Sequence, residues 1–203
     1  TMHREIVRVS TLDKTFTPKE LIAESLNMQK ILQLANRAAQ IDSPVLLTGE
    51  SGTGKGALAR FIHEHSARCN GPFLQINCAA LPFTLVESEL FGVRKGAYTD
   101  ARENRPGLFV EAEGGTLFLD EIAEMPLAIQ PKILQALETG KVRPVGAATE
   151  IATDVRIIAA TNQPIEKALQ NGLIRADLYY RLNVIRLDVP PLRERLADID
   201  QLV

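Results

Sequence analysis

Short runs of apolar residues alternate along the chain with stretches in which apolar side chains recur every three or four positions. The runs typical of buried strands are PVLLTG (44–49) and TLFLDE (116–121), and FLQIN (73–77) alternates as a strand does. The stretches with helical spacing follow Ser25, a suitable N-cap residue, and also cover 55–68 and 127–140. Because strands alternate with helices, the pattern predicts an α/β fold with a mostly parallel sheet covered on both faces.

The remaining segments define the limits of the predicted domain. Residues 141–146 and 150–162 predict a short hairpin followed by another strand. Pro131 lies inside the last predicted helix and must either kink that helix or mark its first turn. Residues 1–18 are polar and mixed, which indicates a linker, so we expect the α/β domain to occupy residues 19–203.

Composition limits the classes of protein to which the chain can belong. The 203 residues are 45% hydrophobic and 24% charged, with a formal net charge of −2, which is ordinary for a globular protein. The near-neutral charge gives no reason to expect that this segment binds nucleic acid. The apolar runs are far shorter than the ~20 residues of a membrane helix. Without a secretory signal or a CxxC pair, we expect a cytoplasmic protein in which Cys69 and Cys78 are reduced, buried thiols.

The segment GESGTGKG (49–56) lies between a predicted strand and a predicted helix. Glycines there let backbone N–H groups turn toward phosphate, and the helix N-terminus behind them favours an anion. The segment satisfies most of the G-x-x-x-x-G-K-[ST] phosphate-loop pattern, with Lys55 placed to reach the β- and γ-phosphates. Gly56 replaces the Ser or Thr that would hold Mg²⁺, and it costs the helix about 1 kcal/mol relative to Ala. The candidate nucleotide-binding residues are Gly49, Glu50, Ser51, Gly52, Thr53, Gly54, Lys55 and Gly56.

Polar residues stand at the ends of two further strands. An apolar strand delivers Asp120 and Glu121 to the carboxyl end of the sheet, where open α/β sheets bind ligands. Asp120 would hold Mg²⁺, directly or through water, and Glu121 would orient or deprotonate the attacking water. Thr161 and Asn162 end the next strand beside the same edge, unless they form only a turn. An acidic strand end exposed to solvent is the alternative for Asp120, but NTPases need both an acid and a phosphate loop, so the combination predicts ATP and Mg²⁺ as ligands.

Two arginines and two histidines give weaker signals. Arg175 and Arg181 lie in IRADLYYRLNV (174–184), and they are either surface arginines or arginine fingers that reach the nucleotide of a neighbouring subunit. His63 and His65 are two positions apart on a predicted helix and therefore do not share a face. We expect both histidines to be surface residues rather than metal ligands.

Taken together, these segments resemble the AAA+ central domain of bacterial enhancer-binding proteins, the activators of sigma-54 RNA polymerase, and in pattern the two-component response-regulator type. The resemblance extends over residues 21–203 and rests on GESGTGKG, INCAAL, ELFG, GAYTDA, GGTLFLDEI, ATN, IRADLYYRLNV and VPPLRER. It implies a three-layer P-loop NTPase fold, ATP hydrolysis and assembly into a ring, typically a hexamer. It also implies that the family's small helical lid and a DNA-binding domain lie outside this chain.

The resemblance assigns roles that spacing alone does not. The catalytic residues it implies are Glu121, Asp120, Asn77, Thr161, Asn162, Arg175 and Arg181. Asn77 of INCAA matches the asparagine that hydrogen-bonds the catalytic glutamate, here Glu121, and couples the nucleotide to movement. The ATN segment matches the sensor of the γ-phosphate, and the two arginines match those that reach into the next subunit's site. Asp120 matches the acid that binds Mg²⁺.

GAYTDA departs from the family sequence GAFTGA, a surface loop inserted in a helix that rises on ATP binding and contacts sigma-54. Its residues are Gly96, Ala97, Tyr98, Thr99, Asp100 and Ala101. Tyr98 keeps an aromatic ring at the tip, where a stiff side chain gives a large contact surface. Asp100 replaces a glycine, which restricts the backbone and puts negative charge at the contact point. Gly56 is a second departure, because the family has Glu there.

Three functions are consistent with these residues. The chain is part of a sigma-54 activator ATPase that tolerates both substitutions, or of a divergent regulator that binds ATP and assembles without engaging sigma-54. The third is a nucleotide-binding interaction module without hydrolysis. The retained acids, Asn77 and both arginines favour hydrolysis, whereas Asp100 favours the divergent regulator over the working activator.

Overall fold

The computed structural model describes residues 23–98 and 103–198. The helices are α1 (Leu26–Ala39), α2 (Lys55–Glu64), α3 (Phe83–Phe91), α4 (Leu108–Glu111), α5 (Gln130–Thr139), α6 (Ile165–Gln170) and α7 (Ala176–Leu182). The strands are β1 (Val45–Thr48), β2 (Phe73–Asn77), β3 (Gly92–Val93), β4 (Arg105–Pro106), β5 (Thr116–Asp120), β6 (Lys141–Val142), β7 (Ile151–Ala152), β8 (Arg156–Thr161) and β9 (Ile185–Asp188). The predicted linker 1–18 lies outside the described residues, as do Thr99, Asp100 and Ala101 of the predicted partner loop.

The central sheet has the strand order β2-β5-β8-β1-β9 within the described residues, and every neighbouring pair is parallel. Leu117, Phe118 and Leu119 of β5 are all fully buried, because helices cover both faces of the sheet. This burial on both sides explains why β1, β5 and β8 are buried along nearly their whole length, whereas the outer strands β2 and β9 are only partly buried. The mostly parallel α/β sheet predicted from the sequence is confirmed.

Two hydrophobic clusters pack on opposite faces of the sheet. On one face, α1 and α2 contribute side chains such as Ala35 and Leu58 against Phe118. On the other face, α3 to α7 pack side chains such as Leu90 and Ile133 against β5 and β8. Full burial of each large apolar side chain contributes about 1.5–3 kcal/mol relative to an exposed one. The result is the three-layer arrangement that the resemblance implies.

The helix boundaries follow local sequence signals, and two of them differ from the prediction. Ser25 caps α1 as predicted, since its hydroxyl accepts a hydrogen bond from Met28 N at 3.3 Å. Helix α2 ends at Glu64, four residues before the predicted end. Helix α5 begins at Gln130 instead of residue 127, and Pro131 occupies its first turn, where a missing N–H costs nothing. Strands β6 and β7 form the predicted hairpin.

The prediction of a surface location is wrong for His63, and the prediction of burial is wrong for Cys69. His63 is 4% exposed, and its Nδ1 lies 2.9 Å from the Thr116 hydroxyl oxygen. Burial lowers the pKa of the His63 imidazole, because the charged form loses hydration. Cys69 is an exposed free thiol, whereas Cys78 is buried as predicted, and its burial raises the pKa of that thiol to about 12. His65 is exposed, in agreement with the prediction.

No helix in the described part of the chain is long and apolar enough to cross a membrane. This agrees with the short apolar runs seen in the sequence.

Candidate nucleotide-binding site

The parallel strands end together at the carboxyl edge of the sheet. The register places Thr48 of β1 opposite Thr161 of β8, and Asn77 of β2 opposite Asp120 of β5. The predicted phosphate loop, residues 49–56, follows β1 directly and leads into α2. Residues predicted from four separate sequence segments therefore meet at one edge, where open α/β sheets bind ligands.

Glycines shape the phosphate loop. Gly49 has φ +150°, and a β-carbon there would lie 2.6 Å from the Val189 carbonyl oxygen, so no side chain fits. Gly52 (φ +77°) and Gly54 (φ +93°) are left-handed, and Gly54 is the N-cap of α2. The first amide N–H groups of a helix have no acceptor within that helix. Those of α2 thus face the loop, together with the positive end of the helix dipole.

Lys55 folds back over this loop. The side chain is 6% exposed, and its ammonium donates hydrogen bonds to the carbonyls of Gly49 (2.8 Å) and Glu50 (3.1 Å). The same nitrogen lies 4.0 Å from Glu121 Oε1. A fixed positive charge thus stands between the phosphate loop and the acidic end of β5.

Glu121 takes an unusual backbone conformation. Its φ of +53° makes it the one non-glycine residue with positive φ in the described segments. Such a conformation costs of order 1–3 kcal/mol and is typical of functional sites. It lets Glu121 N donate to Asp120 Oδ1 at 3.0 Å, while Glu121 Oε2 accepts a hydrogen bond from Asn162 N at 2.9 Å. The Glu121 carboxylate is therefore held between Lys55 and the end of β8.

The Asp120 carboxyl is partly withdrawn from water. Burial raises its pKa, while the Glu121 N–H and the charge of Lys55 act in the opposite direction. No cluster of three or more His, Cys, Asp or Glu residues that could hold a metal occurs in the described part of the chain. Mg²⁺ does not need one, because it is usually held by one or two carboxylates together with substrate phosphates. Asp120 fits that donor set.

Gly56 leaves room for a side chain. It lies in the first turn of α2, and a β-carbon there would meet only the Phe118 ring, at 3.8 Å. The packing therefore does not require glycine at position 56, where the phosphate-loop pattern has Ser or Thr.

The side chains of Asn77 and Thr161 are bonded to neighbouring backbone N–H groups. Asn77 Oδ1 accepts a hydrogen bond from Ala79 N at 2.9 Å, and the described residues contain no hydrogen bond between Asn77 and Glu121. Thr161 is fully buried, and its hydroxyl accepts from Gln163 N at 3.1 Å. The Thr161 carbonyl accepts from Gly49 N at 3.3 Å, so β8 is joined directly to the phosphate loop.

Arg175 and Arg181 lie at opposite ends of α7, and neither contacts the phosphate loop of its own chain. Arg175 forms a bidentate pair with Asp177 (3.1 and 2.7 Å), and its N–H donates to Gln130 Oε1. The pairing raises the pKa of Arg175 and lowers that of Asp177. Arg181 donates to the Leu137 carbonyl at 3.1 Å and lines a cavity of about 390 Å³ with Arg156, at the amino edge of the sheet.

Sequence reasoning missed a set of contacts made by residues 192–198. Arg193 forms a bidentate ion pair with Glu50 of the phosphate loop (2.6 and 2.8 Å). Arg195 is buried, and its Nη2 donates to the Thr53 carbonyl at 2.7 Å. The only sequence signal was the closely spaced charges of RER at 193–195, which do not reveal a partner about 140 residues away.

A narrow neck, in which Gly92 and Gly107 lie close together, joins the segment that contains GAYTDA to α3 and α4. Strands β3 and β4 pair antiparallel between α3 and α4, and a β-carbon on Gly107 would lie 2.2 Å from Gly92 N. The hairpin segment 143–147 supports the loop base, because a β-carbon on Gly146 would lie 2.6 Å from that of Ala97. The Tyr98 side chain is 46% exposed. The loop is thus an insertion between helices, as the resemblance implies.

Comparison with known proteins identifies the family of the chain. A family model described as "Sigma-54 interaction domain" matches residues 21–188. The DNA-binding transcriptional regulator NtrC of Rhizobium meliloti is 51% identical over 183 residues, which cover 90% of this chain and 38% of that protein. The response regulator protein PilR of Pseudomonas aeruginosa is 49% identical over 182 residues, covering 90% and 41%. The chain spans about two fifths of the length of these relatives.

Solved structures show the same likeness. NtrX from Brucella abortus, in a crystal structure described as a complex with ATP, is 40% identical with a TM-score of 0.83, covering 90% of this chain and 41% of that chain. The P-loop NTPase domain of a sigma-54 activator from E. coli is 22% identical with a TM-score of 0.56, covering 84% and 99%. At that identity, the second likeness shows the fold alone.

Proposed function

Because the chain belongs to the sigma-54 interaction domain family, whose members are AAA+ ATPases of sigma-54-dependent transcriptional activators, we propose that it hydrolyses ATP to drive a transcriptional regulator. The ATPase domain would span residues 19–203, and DNA binding would belong to a separate domain. A cytoplasmic location follows from a polymerase target. The observation that carries the proposal is the Glu121 carboxylate, which is held between Lys55 and Asn162 N and stands beside Asp120.

In this proposal, the first turn of α2 and the loop N–H groups bind the triphosphate, as the ATP-bound NtrX structure supports. Lys55 would exchange its loop carbonyls for β- and γ-phosphate oxygens. Asp120 would hold Mg²⁺, whose charge would neutralise the phosphates. Glu121 would orient a water molecule and accept its proton as the oxygen attacks the γ-phosphorus and the bond to the bridging oxygen of ADP breaks.

Arg175 and Arg181 are proposed to act on a neighbouring subunit. Within their own chain they are bonded to Asp177 and to the Leu137 carbonyl rather than to the loop, which supports action across a subunit boundary, because an arginine that stabilises charge on the transferring phosphoryl must lie against it. The chain would then assemble as a ring, typically a hexamer. Mixing Glu121→Gln subunits with Arg181→Met subunits tests this. The mixture should recover turnover, because each Arg181→Met subunit keeps Glu121 and receives an arginine from its neighbour.

The proposed partner is sigma-54 RNA polymerase, contacted by residues 96–101. The exposed side chain of Tyr98 supports this, since such a ring offers contact area at low entropic cost. The negative charge of Asp100 supports a second candidate, a regulator that binds ATP and assembles but acts on another target. The third candidate is an interaction module without turnover.

Two measurements on the full-length protein separate these candidates. The first is phosphate release from ATP, with Glu121→Ala as the inactive control. The second is capture of purified sigma-54 in the presence of ADP and a metal fluoride that mimics the transferring phosphoryl, with Asp100→Gly beside the native protein.

Each candidate gives a distinct result. Phosphate release together with capture by the native protein supports the activator. Phosphate release with capture by Asp100→Gly alone supports the divergent regulator. Nucleotide binding without phosphate release supports the interaction module and overturns the ATPase proposal.

A further inference from the structure

A short C-terminal segment lies against the phosphate loop from outside the sheet. Residues 192–198 follow β9 as two 3₁₀ turns, and they approach both the loop and the start of α1. Asp198 is fully buried, and its carboxylate accepts hydrogen bonds from Ser25 N (2.7 Å) and the Ser25 hydroxyl (3.0 Å). The segment is therefore fixed in place at one end by α1, and it presents two arginines to the loop.

The two arginines differ in burial. Arg193 is 65% exposed in its pair with Glu50, and solvent-exposed ion pairs are worth about 0–1 kcal/mol. Arg195 is 7% exposed, and it contacts the backbone of the loop through Nη2 and the Thr53 carbonyl. Its Nη1 lies 3.6 Å from Met28 Sδ, and its Nε is buried without a hydrogen-bond partner. The buried residue has the stronger influence on the loop.

The contact with Thr53 fixes the direction of the next peptide N–H. In a trans peptide, the carbonyl and the following N–H point in opposite directions, and the described segments contain no cis peptide. With the Thr53 carbonyl held by Arg195, the Gly54 N–H must point away from Arg195. Gly54 is left-handed, a conformation that glycine reaches freely, and its own carbonyl accepts a hydrogen bond from Leu58 N at 2.9 Å. Arg195 is the donor that holds the Thr53 carbonyl, and with it the plane of this peptide.

Arg195 also places positive charge behind the loop. A guanidinium stays charged at any physiological pH. Among residues 23–98 and 103–198, no carboxylate forms an ion pair with it, because Asp198 is bound to Ser25. The charge therefore adds to that of Lys55 and to the positive end of the α2 dipole. All three favour an anion in the same loop.

We propose that Arg195 is a positioning residue for triphosphate binding: it orients the Thr53–Gly54 peptide of the phosphate loop and adds positive potential behind it. The inference rests on the proposed nucleotide binding, but it concerns a residue that the phosphate-loop pattern does not contain. It predicts that loss of Arg195 weakens binding of the phosphate chain and leaves binding of the adenosine end unaffected.

The test compares ATP with AMP, because AMP lacks the β- and γ-phosphates that the loop would hold. Calorimetric titration of full-length Arg195→Met should show an ATP dissociation constant raised about tenfold or more, the usual effect of losing a charged hydrogen bond. The AMP dissociation constant should change little. Arg195→Lys keeps the charge but not the planar donor geometry, so it should fall between the native protein and Arg195→Met.

Arg156→Met is the matched control. Arg156 is equally buried and donates to the carbonyls of Ala38 (2.7 Å), Ala39 (3.2 Å) and Ser43 (3.3 Å), at the edge of the sheet away from the loop. Its loss should lower the melting temperature but leave the ratio of ATP to AMP affinity unchanged.

The outcomes are distinct. An unchanged affinity ratio in Arg195→Met, or an equal loss for AMP, shows that Arg195 has only a structural role and overturns the inference. If Arg195→Met does not fold, an unchanged ratio in Arg195→Lys has the same meaning. A native protein that binds no ATP contradicts the proposed function itself, and a native protein that binds ATP with no Arg195 effect contradicts this inference alone.

Discussion

The two edges of the central sheet carry polar residues in different states. At the amino edge, Arg68 pairs with both Asp42 (2.7 Å) and Asp154 (2.6 Å), and Arg156 donates to three backbone carbonyls. At the carboxyl edge, Glu121 is held at positive φ, and burial raises the pKa of Asp120. At the amino edge, nearby partners satisfy the charges and hydrogen bonds of the arginines. At the carboxyl edge, the backbone of Glu121 is strained and the Asp120 carboxylate is poorly hydrated.

We expect this difference to separate the polar residues that stabilise the fold from those that meet the nucleotide of the same subunit; Arg181, at the amino edge, is proposed to act on a neighbouring subunit. Arginines and carboxylates occur at both edges, so residue type alone does not distinguish them. Side chains that already pair with one another gain little further stabilisation from a ligand. A strained acid beside a fixed cation is typical of functional sites, because a ligand there can supply hydrogen bonds and charges that the protein lacks. The predictions below test this contrast.

The largest effect is expected for Glu121→Gln. If Glu121 accepts the proton of the attacking water, phosphate release should fall at least about 100-fold, since positioned general bases contribute 10²–10⁴-fold. ATP affinity should be nearly unchanged, because the amide keeps the hydrogen bond from Asn162 N. Glu124→Gln is the control, an exposed acid three residues later that should retain the native rate. Equal rates for the native protein and Glu121→Gln would remove Glu121 from the chemistry.

Two glycines of the phosphate loop should respond in opposite directions to alanine. Gly49→Ala places a β-carbon 2.6 Å from the Val189 carbonyl oxygen, so we expect a loss of more than about 2 kcal/mol in unfolding free energy and loss of ATP binding. Gly56→Ala should add about 1 kcal/mol, because its helical position has space. Urea unfolding measures both. A stabilising Gly49→Ala would show that the loop has another conformation.

Arg68→Met should weaken the amino edge without affecting the nucleotide. Because the two paired carboxylates are largely exposed, solvent screens the interaction, and we expect a loss of about 1–2 kcal/mol in unfolding free energy. Arg68 also holds the pKa of Asp42 below its usual range. That contribution is present above the ordinary carboxyl pKa and is lost as pH falls through the depressed value. ATP affinity should stay native, and a large fall would contradict the contrast between the edges.

The smallest change in stability is expected for Asp120→Asn. A carboxyl whose pKa is raised on folding costs stability at neutral pH, so removing the charge should raise the unfolding free energy by less than about 1 kcal/mol after solvent screening. The gain should disappear as pH falls through the raised pKa, because the native carboxyl is then protonated. Phosphate release should fall, since the Mg²⁺ ligand is lost. A destabilised Asp120→Asn at pH 7 would show that the charge is well compensated.

Features encoded by local patterns were predicted from the sequence. The phosphate loop, the acids after β5 and the cap at Ser25 each depend on residues within about ten positions of one another. Even the start of α5 was one of the two alternatives that Pro131 allowed. Such features can be predicted without knowledge of the tertiary structure, because backbone hydrogen bonding and glycine conformation are local.

Features that depend on distant partners were not predicted. His63 is buried because it meets Thr116, 53 residues away, and Arg195 meets Thr53 across 142 residues. The positive φ of Glu121 also has no local signal, since the residue type disfavours it. Arg175 and Arg181 lie in the same sequence segment, yet they stand at opposite ends of α7 and so near opposite edges of the sheet.

The neck beneath the GAYTDA loop bears on how the chain can evolve. Gly92 and Gly107 lie in close contact at the base of this segment. The end of α3 and the start of α4 are therefore close together, although 11 residues, 94–104, separate the two short strands. We expect that side chains of this segment, apart from Ala97 beside Gly146, can be exchanged without repacking the helices, because surface insertions cost little once their ends are fixed. Under the proposed function, a change such as glycine to Asp100 would thus alter the choice of partner without requiring any change in the phosphate loop.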